Sequence, residues 1–280
     1  MEGFAYAKIN LTLEILSKEG KFHTIKSIFQ KIGLYDLIRI KVGSKDRIYF
    51  TEPIRKSTST VHRAVELFRK ETSINKNLDI SIEKHISMGA GLGGGSSDAA
   101  TTLILLNKLF NNALSIDTLI TLGAEIGKDV PFFLSNYSTA LVTHFGEIVA
   151  KIPPLKEIHI VLVHPPFHHK TEKMYQMFDI FGRFSQGTHT GDLIKLIEDR
   201  NYSTNDIERF LYNDFEVMLL SVDSDFSKFK NFIEKATEKT FHLTGSGSTI
   251  FCVCESENEA SEIAKTLRKL NFNVSVAKAI

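Results

Sequence analysis

The chain has 280 residues, a formal net charge of +1, 42% hydrophobic residues and 24% charged residues. That length holds one large domain or two small ones around a real core, and the near-neutral balance lacks the basic excess of a duplex nucleic-acid binder. No stretch is apolar for long enough to span a bilayer and the first residues lack a basic-then-apolar leader, so a cytoplasmic protein with no membrane or nucleic-acid partner is expected. Cys252 and Cys254 fall on one face of a strand, too close for an ordinary disulfide and without further zinc ligands, and read as buried thiols of a reducing compartment.

From Phe4 to Ile15 the sequence alternates Ile9, Leu11, Leu13 and Ile15 with Lys8, Asn10, Thr12 and Glu14, the period of a half-buried strand. Lys8 and Asn10 therefore share a face, either the solvated side of an edge strand or a pair presented for chemistry. Glu19-Gly20 marks a turn, and Phe22-His23 then leads into apolar Ile25, Ile28 and Phe29. On pattern alone Phe22 reads as core and His23 as surface. Leu34 to Val42 and Arg47 to Phe50 read as strands, and Ser57 to Glu71 as a helix with Val61, Ala64, Val65, Leu67 and Phe68 along one stripe. Leu78 to Ile86 alternates again, a strand with one face in water.

Met88 to Ala100 reads Met-Gly-Ala-Gly-Leu-Gly-Gly-Gly-Ser-Ser-Asp-Ala-Ala. Glycine allows positive φ and close approach of backbone to a ligand, while Ser96, Ser97 and Asp98 are residue types that cap or open a helix. A glycine loop feeding a helix presents unpaired N–H groups and a positive dipole end, the chemistry of a phosphate site. A linker would not run straight into the apolar stretch from Ala99 to Leu106. Gly89, Gly91 and Gly94 match the dinucleotide pattern G-x-G-x-x-G, but the alternating strand before them does not suit a parallel sheet covered on both faces. The G-x-x-x-x-G-K-[ST] loop fails because no lysine precedes Ser96.

A helix from Ser97 to about Asn107 and a second from Ser115 to Gly127 follow, with Gly127 as the natural stop and Pro131 preventing simple continuation. Asp129 sits on the turn between, and taken alone is a turn residue. The chain changes character near Lys151, which divides it into domains 1–150 and 151–280. His159 to Pro166 is a strand running into a proline-limited loop, with Thr171 and Tyr175 beyond it. His164, His168 and His169 do not make a metal site, since adjacent histidines cannot face the same way and no clear carboxylate partners them. Gly182 to Gly191 reads as a mobile polar loop, and Asn213-Asp-Phe-Glu216 opens a helix. Phe241 to Cys254 is strand, glycine turn, strand; a helix (Glu257 to Leu270) and a strand (Asn273 to Ala277) complete a β-β-α-β unit.

Taken in order, these segments resemble the GHMP kinases, and most closely the 4-diphosphocytidyl-2-C-methyl-D-erythritol kinases. The resemblance rests on Ala7-Lys8-Ile9-Asn10-Leu11, Phe22-His23, the glycine loop, Gly127-Lys-Asp129-Val-Pro131 and Thr244-Gly-Ser-Gly247, and covers essentially the whole chain. It implies an α+β (two-layer α/β) GHMP kinase fold, with an N-terminal ribosomal-S5-like, ATP-binding subdomain and a C-terminal ferredoxin-like one. It also implies ATP-dependent phosphorylation of the 2-hydroxyl of 4-diphosphocytidyl-2-C-methyl-D-erythritol, in the non-mevalonate route to isoprenoid precursors. In that reading Asp129 is the catalytic base and Lys8 orients and polarises the reacting pair. Ser87, Met88, Gly89, Ala90, Gly91, Leu92, Gly93, Gly94, Gly95, Ser96 and Ser97 cradle the phosphates of ATP. Asn10, Phe22, His23, Tyr175, Gly245 and Ser246 hold the cytidine-bearing small-molecule substrate.

Three positions depart from the family pattern: Tyr6 and Ser87 stand where proline is usual, and Phe22 where tyrosine is usual. No acidic residue matches the magnesium ligand of other GHMP kinases, so the implied Mg2+ is held through water or phosphate. Monomer and homodimer both remain open. The alternatives are another small-molecule GHMP kinase, of homoserine or mevalonate type, or a silent nucleotide-binding relative. Phe22-His23 argues against the first, and intact Lys8 and Asp129 against the second.

Overall fold

A computed structural model describes all 280 residues. Strands β1 (Glu2–Glu19) and β2 (Phe22–Val42) form one long antiparallel hairpin, in register from Glu19 opposite Phe22 to Glu2 opposite Arg39. What the sequence presents as separate apolar runs, from Phe22 to Phe29 and from Leu34 to Val42, is a single strand. Bulges between Tyr6 and Ala7, Asn10 and Thr12, and Ile15 and Ser17 bend and twist β1, so its two ends serve different cores.

β3 (Arg47–Phe50) runs parallel to β4 (Leu78–Glu83), which pairs antiparallel with the far half of β2. Between them α1 (Thr60–Thr72) starts at Ser59, whose hydroxyl accepts the His62 N–H. Then come α2 (Gly94–Leu109), α3 (Ile116–Ile126), capped by Ser115, and the short α4 (Val130–Leu134). β5 (Thr139–His144) returns to the near half of β2, with β6 (Ile148–Lys151) outside it. The four helices cover one face of this sheet over a core of 25 buried hydrophobic residues, Phe29, Phe68 and Phe132 among them.

Two expectations about this part are corrected. Helix α2 begins at Gly94 rather than Ser97, because Gly93, at φ 70°, is its N-cap and Ser97 and Asp98 turn inward to buried positions. Gly127 ends α3 in extended backbone, not the left-handed turn of a C′ glycine. The chain re-enters a helix at once, with Asp129 as N-cap of α4 and Pro131 in its first turn, where its missing N–H leaves no acceptor unpaired.

The remainder comprises β7 (His159–His164), α5 (Thr171–Phe181), α6 (Thr188–Asp199), α7 (Thr204–Glu208), β8 (Tyr212–Asn213), α8 (Asp214–Val222), α9 (Ser224–Thr237), β9 (His242–Leu243), β10 (Ile250–Cys254), α10 (Glu257–Lys269) and β11 (Asn273–Lys278). A second, antiparallel sheet has the order β11-β7-β10-β9. Strand β8 instead joins the first sheet, parallel to β1. Two further cores mix both parts of the chain: Leu13, Ile15 and Ile25 pack with Val161, Phe215 and Phe241, and Ile9, Leu11 and Ile28 with Ile160, Leu193 and Phe251. Cys252 and Cys254 are fully buried on one side of β10, their sulfurs 4.0 Å apart.

The alternation in β1 predicts water against Lys8, Asn10, Thr12 and Glu14, yet all four are buried. The cover over the last two is the start of α6. Glu14 accepts the His189 and Thr190 N–H groups at 3.3 and 2.8 Å, capping that helix with a negative charge, and the Thr190 hydroxyl donates to Thr12 at 2.8 Å. The segment expected as a mobile loop from Gly182 to Gly191 is therefore helical from Thr188. Its remaining part is tied down by the Ser185 N–H to the Ile15 carbonyl at 2.8 Å.

Asp214 locks these pieces together, accepting from the Ile15 N–H (2.6 Å), the Ser185 hydroxyl (2.8 Å) and the Tyr212 hydroxyl (2.8 Å). Asp214→Ala strands those donors, two of them at the heart of the β1–β8 junction, and should lower the unfolding free energy by about 3 kcal/mol. Urea unfolding of the purified variant checks this; an unchanged midpoint would mean that water replaces the carboxylate without penalty.

Candidate active site

A cleft of about 1100 Å³ lies where the glycine loop, β1, the α3–α4 junction, α5 and the β9–β10 loop meet. The loop is fixed at both sides: the Lys8 N–H donates to the Leu92 carbonyl at 3.0 Å and the Thr249 N–H to the Ala90 carbonyl at 3.4 Å. At Gly91, with φ +78°, a Cβ would stand 2.1 Å from the Thr244 carbonyl oxygen. Only glycine lets the two glycine-rich loops touch backbone to backbone there. No side chain caps α2, and its first intrahelical bond runs from the Ser97 N–H to the Gly93 carbonyl. The N–H groups of Gly94, Gly95 and Ser96 are thus left without helical acceptors at the cleft wall. Residues Ser87 to Ser96 line the cleft as the sequence suggests; Ser97, 1% exposed, does not reach it.

Lys8 rises from β1 beneath this loop. Its ammonium donates to Asn10 Oδ1 at 2.5 Å, lies 3.8 Å from Asp129 Oδ2 and sits over the Phe29 ring, 4.6 Å from its centre. Burial pulls the Lys8 pKa down, and the Asp129 charge opposes that pull. Asn10, placed in the substrate pocket by the resemblance, does line the cleft, but its amide is engaged: Oδ1 takes Lys8 and Nδ2 donates to Ser27 at 2.9 Å. Asp129, with a side chain 32% exposed, is the open member of the pair.

The far end of the cleft is aromatic, and here the pattern reading of the Phe22-His23 pair is reversed. Phe22 is 45% exposed, its ring tilted against Phe145 at 5.3 Å, whereas His23 is 6% exposed. The His23 ring stacks on Tyr175 at 4.7 Å. Burial, and next the Asp129 charge, push the Tyr175 phenol well above its ordinary pKa, so it remains neutral. Gly245 and Ser246 close the cleft, the Ser246 hydroxyl 2.8 Å from that of Thr171. His169, which has no evident acidic partner in the sequence, lies 3.4 Å from Asp223. His164 bonds to Thr249 and Ser275, each at 3.1 Å.

Two family models match the chain, "GHMP kinases N terminal domain" over residues 59–137 and "GHMP kinases C terminal" over residues 195–272. The 4-diphosphocytidyl-2-C-methyl-D-erythritol kinase of Carboxydothermus hydrogenoformans is 36% identical over 93% of this chain and 90% of its own length. The enzyme of the same name from Thermodesulfovibrio yellowstonii is 34% identical over 93% and 92%. The chain belongs to the 4-diphosphocytidyl-2-C-methyl-D-erythritol kinases, within the GHMP kinases. A crystal structure of 4-(cytidine 5'-diphospho)-2C-methyl-D-erythritol kinase shares the fold with a TM-score of 0.81, at 24% identity over 99% of this chain and 98% of that one. Homoserine kinase from Cytophaga hutchinsonii superposes with a TM-score of 0.72 at 15% identity over 100% and 94%. The mixed helix-and-sheet architecture is thus that of the GHMP kinases, and no helix is long and apolar enough to cross a membrane.

Sequence reasoning overlooks a charged cluster behind the kinase loop. Lys84, its side chain 3% exposed, bridges Asp36 on β2 and Asp98 on α2, the latter at 2.6 Å. Asp36 also accepts the N–H groups of His85 and Ile86 at 2.5 and 2.8 Å, so this cluster sets the strand end from which the loop departs. Burial opposes the Lys84 charge, yet Asp98 and Asp36 together raise its pKa. The only sequence hint is that Lys84 and Asp98 flank the glycines.

Burial pushes the Asp98 carboxyl up to about 7 against the pull of Lys84, with Asp36 adding to the rise. The folded protein therefore binds this proton more tightly than the unfolded chain. The stabilisation is complete below the ordinary carboxyl value of 3.8 and is lost as pH rises toward about 7. Asp98→Asn is neutral throughout, so its stability relative to the parent should climb between about pH 4 and about pH 7 and then level off. Unfolding midpoints of both proteins across that range test it; a constant difference would remove Asp98 as the titrating group.

Proposed function

We propose that this kinase transfers the γ-phosphoryl group of ATP to the 2-hydroxyl of 4-diphosphocytidyl-2-C-methyl-D-erythritol. One observation carries the reading: the Lys8–Asp129 pair, 3.8 Å apart, stands between a phosphate-type glycine loop and an aromatic end built by Phe22, His23 and Tyr175. A single cleft thus brings together a glycine loop suited to nucleotide phosphates, a proton acceptor and aromatic side chains suited to a base. The domain at 1–150 supplies the ATP loop and Asp129; residues 151–280 supply Tyr175, Gly245 and Ser246. The reaction belongs in the cytoplasm, where ATP is available and the free Cys252 and Cys254 thiols stay reduced.

Asp129 accepts the proton of the substrate hydroxyl as that oxygen attacks, a role that needs a carboxylate open to the cleft. Lys8, held by Asn10, places its amino group beside both the carboxylate and the acceptor oxygen and so orients the reacting pair. The N–H groups opening α2 face the phosphates, where charge spreads during transfer, and positioning provides most of the acceleration. No group of three or more His, Cys, Asp or Glu side chains is placed to cage a metal. That fits a magnesium ion that arrives on the phosphates of ATP and keeps most of its waters. When bound, such an ion would neutralise phosphate charge, with the Ser96 hydroxyl of the glycine loop among the oxygens lining the cleft beside it.

Asp129→Asn should bind ATP as the parent does and lose about 100- to 10,000-fold in kcat. Calorimetry and a coupled ADP assay measure the two; retained turnover would remove Asp129 as the base. ATP consumption with 4-diphosphocytidyl-methylerythritol, compared against homoserine and mevalonate, tests the substrate. Turnover with one of the latter and not the former would overturn the cytidyl assignment.

A further inference from the structure

The base end of the cleft contains a hydrogen-bonded relay beyond the residues described so far. His23 Nε2 lies 2.7 Å from Asp179 Oδ1, and the other oxygen of that carboxylate takes the Lys18 ammonium at 2.7 Å. Lys18 stands directly across the β1–β2 ladder from His23. Tyr175 and Asp179 are four residues apart on α5 and hence share a face: the tyrosine stacks on the imidazole while the aspartate takes its Nε2. The His23 side chain is 3% exposed, and its Nδ1 has no hydrogen-bond partner within the protein although the residue lines the cleft.

We propose that Asp179 is a specificity-positioning residue: by holding the His23 proton on Nε2 it leaves Nδ1 as a hydrogen-bond acceptor, so the cleft selects a 4-aminopyrimidine over a 4-oxopyrimidine. This deepens the cytidyl reading above and rests on it. A neutral imidazole carries one N–H and one lone pair, and the partner of one nitrogen decides the role of the other. With Nδ1 an acceptor, the exocyclic amino group of cytosine donates to it. The carbonyl oxygen of uracil at the same place would set two acceptors face to face, which rejects the base rather than merely failing to attract it. Lys18 supplies the second condition: it occupies the other carboxylate oxygen, so Asp179 is fixed between strand β1 and the ring it orients. Hydrogen bonds from Lys18 first, and from His23, hold the Asp179 carboxyl below its usual range, consistent with an acceptor on both oxygens.

The test compares the parent and Asp179→Asn at about pH 8, where imidazole side chains are ordinarily neutral. The introduced amide offers either an oxygen or an amino group to Nε2 and so no longer dictates the tautomer. Binding of CDP and of UDP is measured by calorimetry with the ATP site filled by a non-hydrolysable analogue, and the His23 tautomer is read by 15N NMR. The parent should show an unprotonated Nδ1 and prefer CDP; the variant should show mixed tautomers and a preference reduced by at least about tenfold. Its kcat and KM for ATP should stay within about twofold of the parent, any loss of turnover appearing in KM for the cytidyl substrate. An Nδ1–H in the parent, or a CDP preference that survives in Asp179→Asn, overturns the proposal. An equal loss of CDP and UDP affinity overturns it as well, since it would mark Asp179 as merely structural. Because binding and NMR need no turnover, a failure to phosphorylate the cytidyl substrate would count against the proposed function alone.

Discussion

Keeping a lysine ammonium charged in a site only 3% open to water is the constraint on which this molecule turns. An isolated buried ammonium would shed its proton, so Lys8 needs compensation that a single strand cannot supply. Asn10 comes from two residues along β1, the Phe29 ring from the partner strand β2, and the Asp129 carboxylate from the α3–α4 junction. Those partners meet only when the hairpin, the glycine loop and α4 are all in place. The reactive pair is therefore a product of the whole N-terminal sheet and its helices, and the core of Phe29 and Phe132 beneath it serves as the mounting for the chemistry.

The glycine loop has a similar dependence. Its backbone is gripped by Lys8 on one side and by the Thr244 to Thr249 loop on the other, and its departure angle is set by Asp36 and Lys84 from beneath. Because Gly91 meets the Thr244 carbonyl without a side chain between, the cleft wall at the glycine loop is shared by residues 153 positions apart. This explains why the hairpin contributes to three cores instead of one. A kinase of this size needs the glycine loop and the opposite wall of the cleft held in fixed relation, and the β1–β2 hairpin and the Thr244 to Thr249 loop each reach both.

What could be read from the sequence follows from range. The β1 strand, the α1 stripe, the Ser115 cap and the glycine loop before α2 are local patterns, and they appear where their periods and caps place them. Lys8 and Asp129 are legible only through their resemblance to a known set, since nothing local distinguishes Asp129 from a turn residue. Apart from the extended backbone at Gly127, the misreadings are non-local. Thr12 and Glu14 look solvated because the α6 N-terminus that covers them is about 175 residues away. Phe22 and His23 exchange their expected exposure because α5 delivers Tyr175 and Asp179 to the histidine and leaves the phenylalanine at the rim. Helix α2 starts earlier than its cap residues suggest because Ser97 and Asp98, good caps by type, lie in the interior, where Lys84 holds the aspartate.

The three departures from the family pattern differ in what surrounds them. Tyr6 stands at a bulge where the register of β1 against β2 shifts, and its ring packs edge-on to Tyr35 at 5.7 Å, so an aromatic contact holds the strand where the family has proline. Ser87 follows Ile86, whose N–H is already fixed by Asp36, so the loop keeps a rigid root although proline is absent. Phe22 is different, because no local contact replaces the phenol it lacks. Its ring instead has the Lys21 and Lys128 ammonium groups over it, 5.3 and 5.9 Å from its centre, and Phe145 beside it. This side of the cleft thus presents an apolar face flanked by cations, suited to stacking and to a diphosphate, with no hydroxyl at position 22. The proposed discrimination between pyrimidines therefore rests on the orientation of one imidazole, that of His23, with no phenol at position 22 beside it.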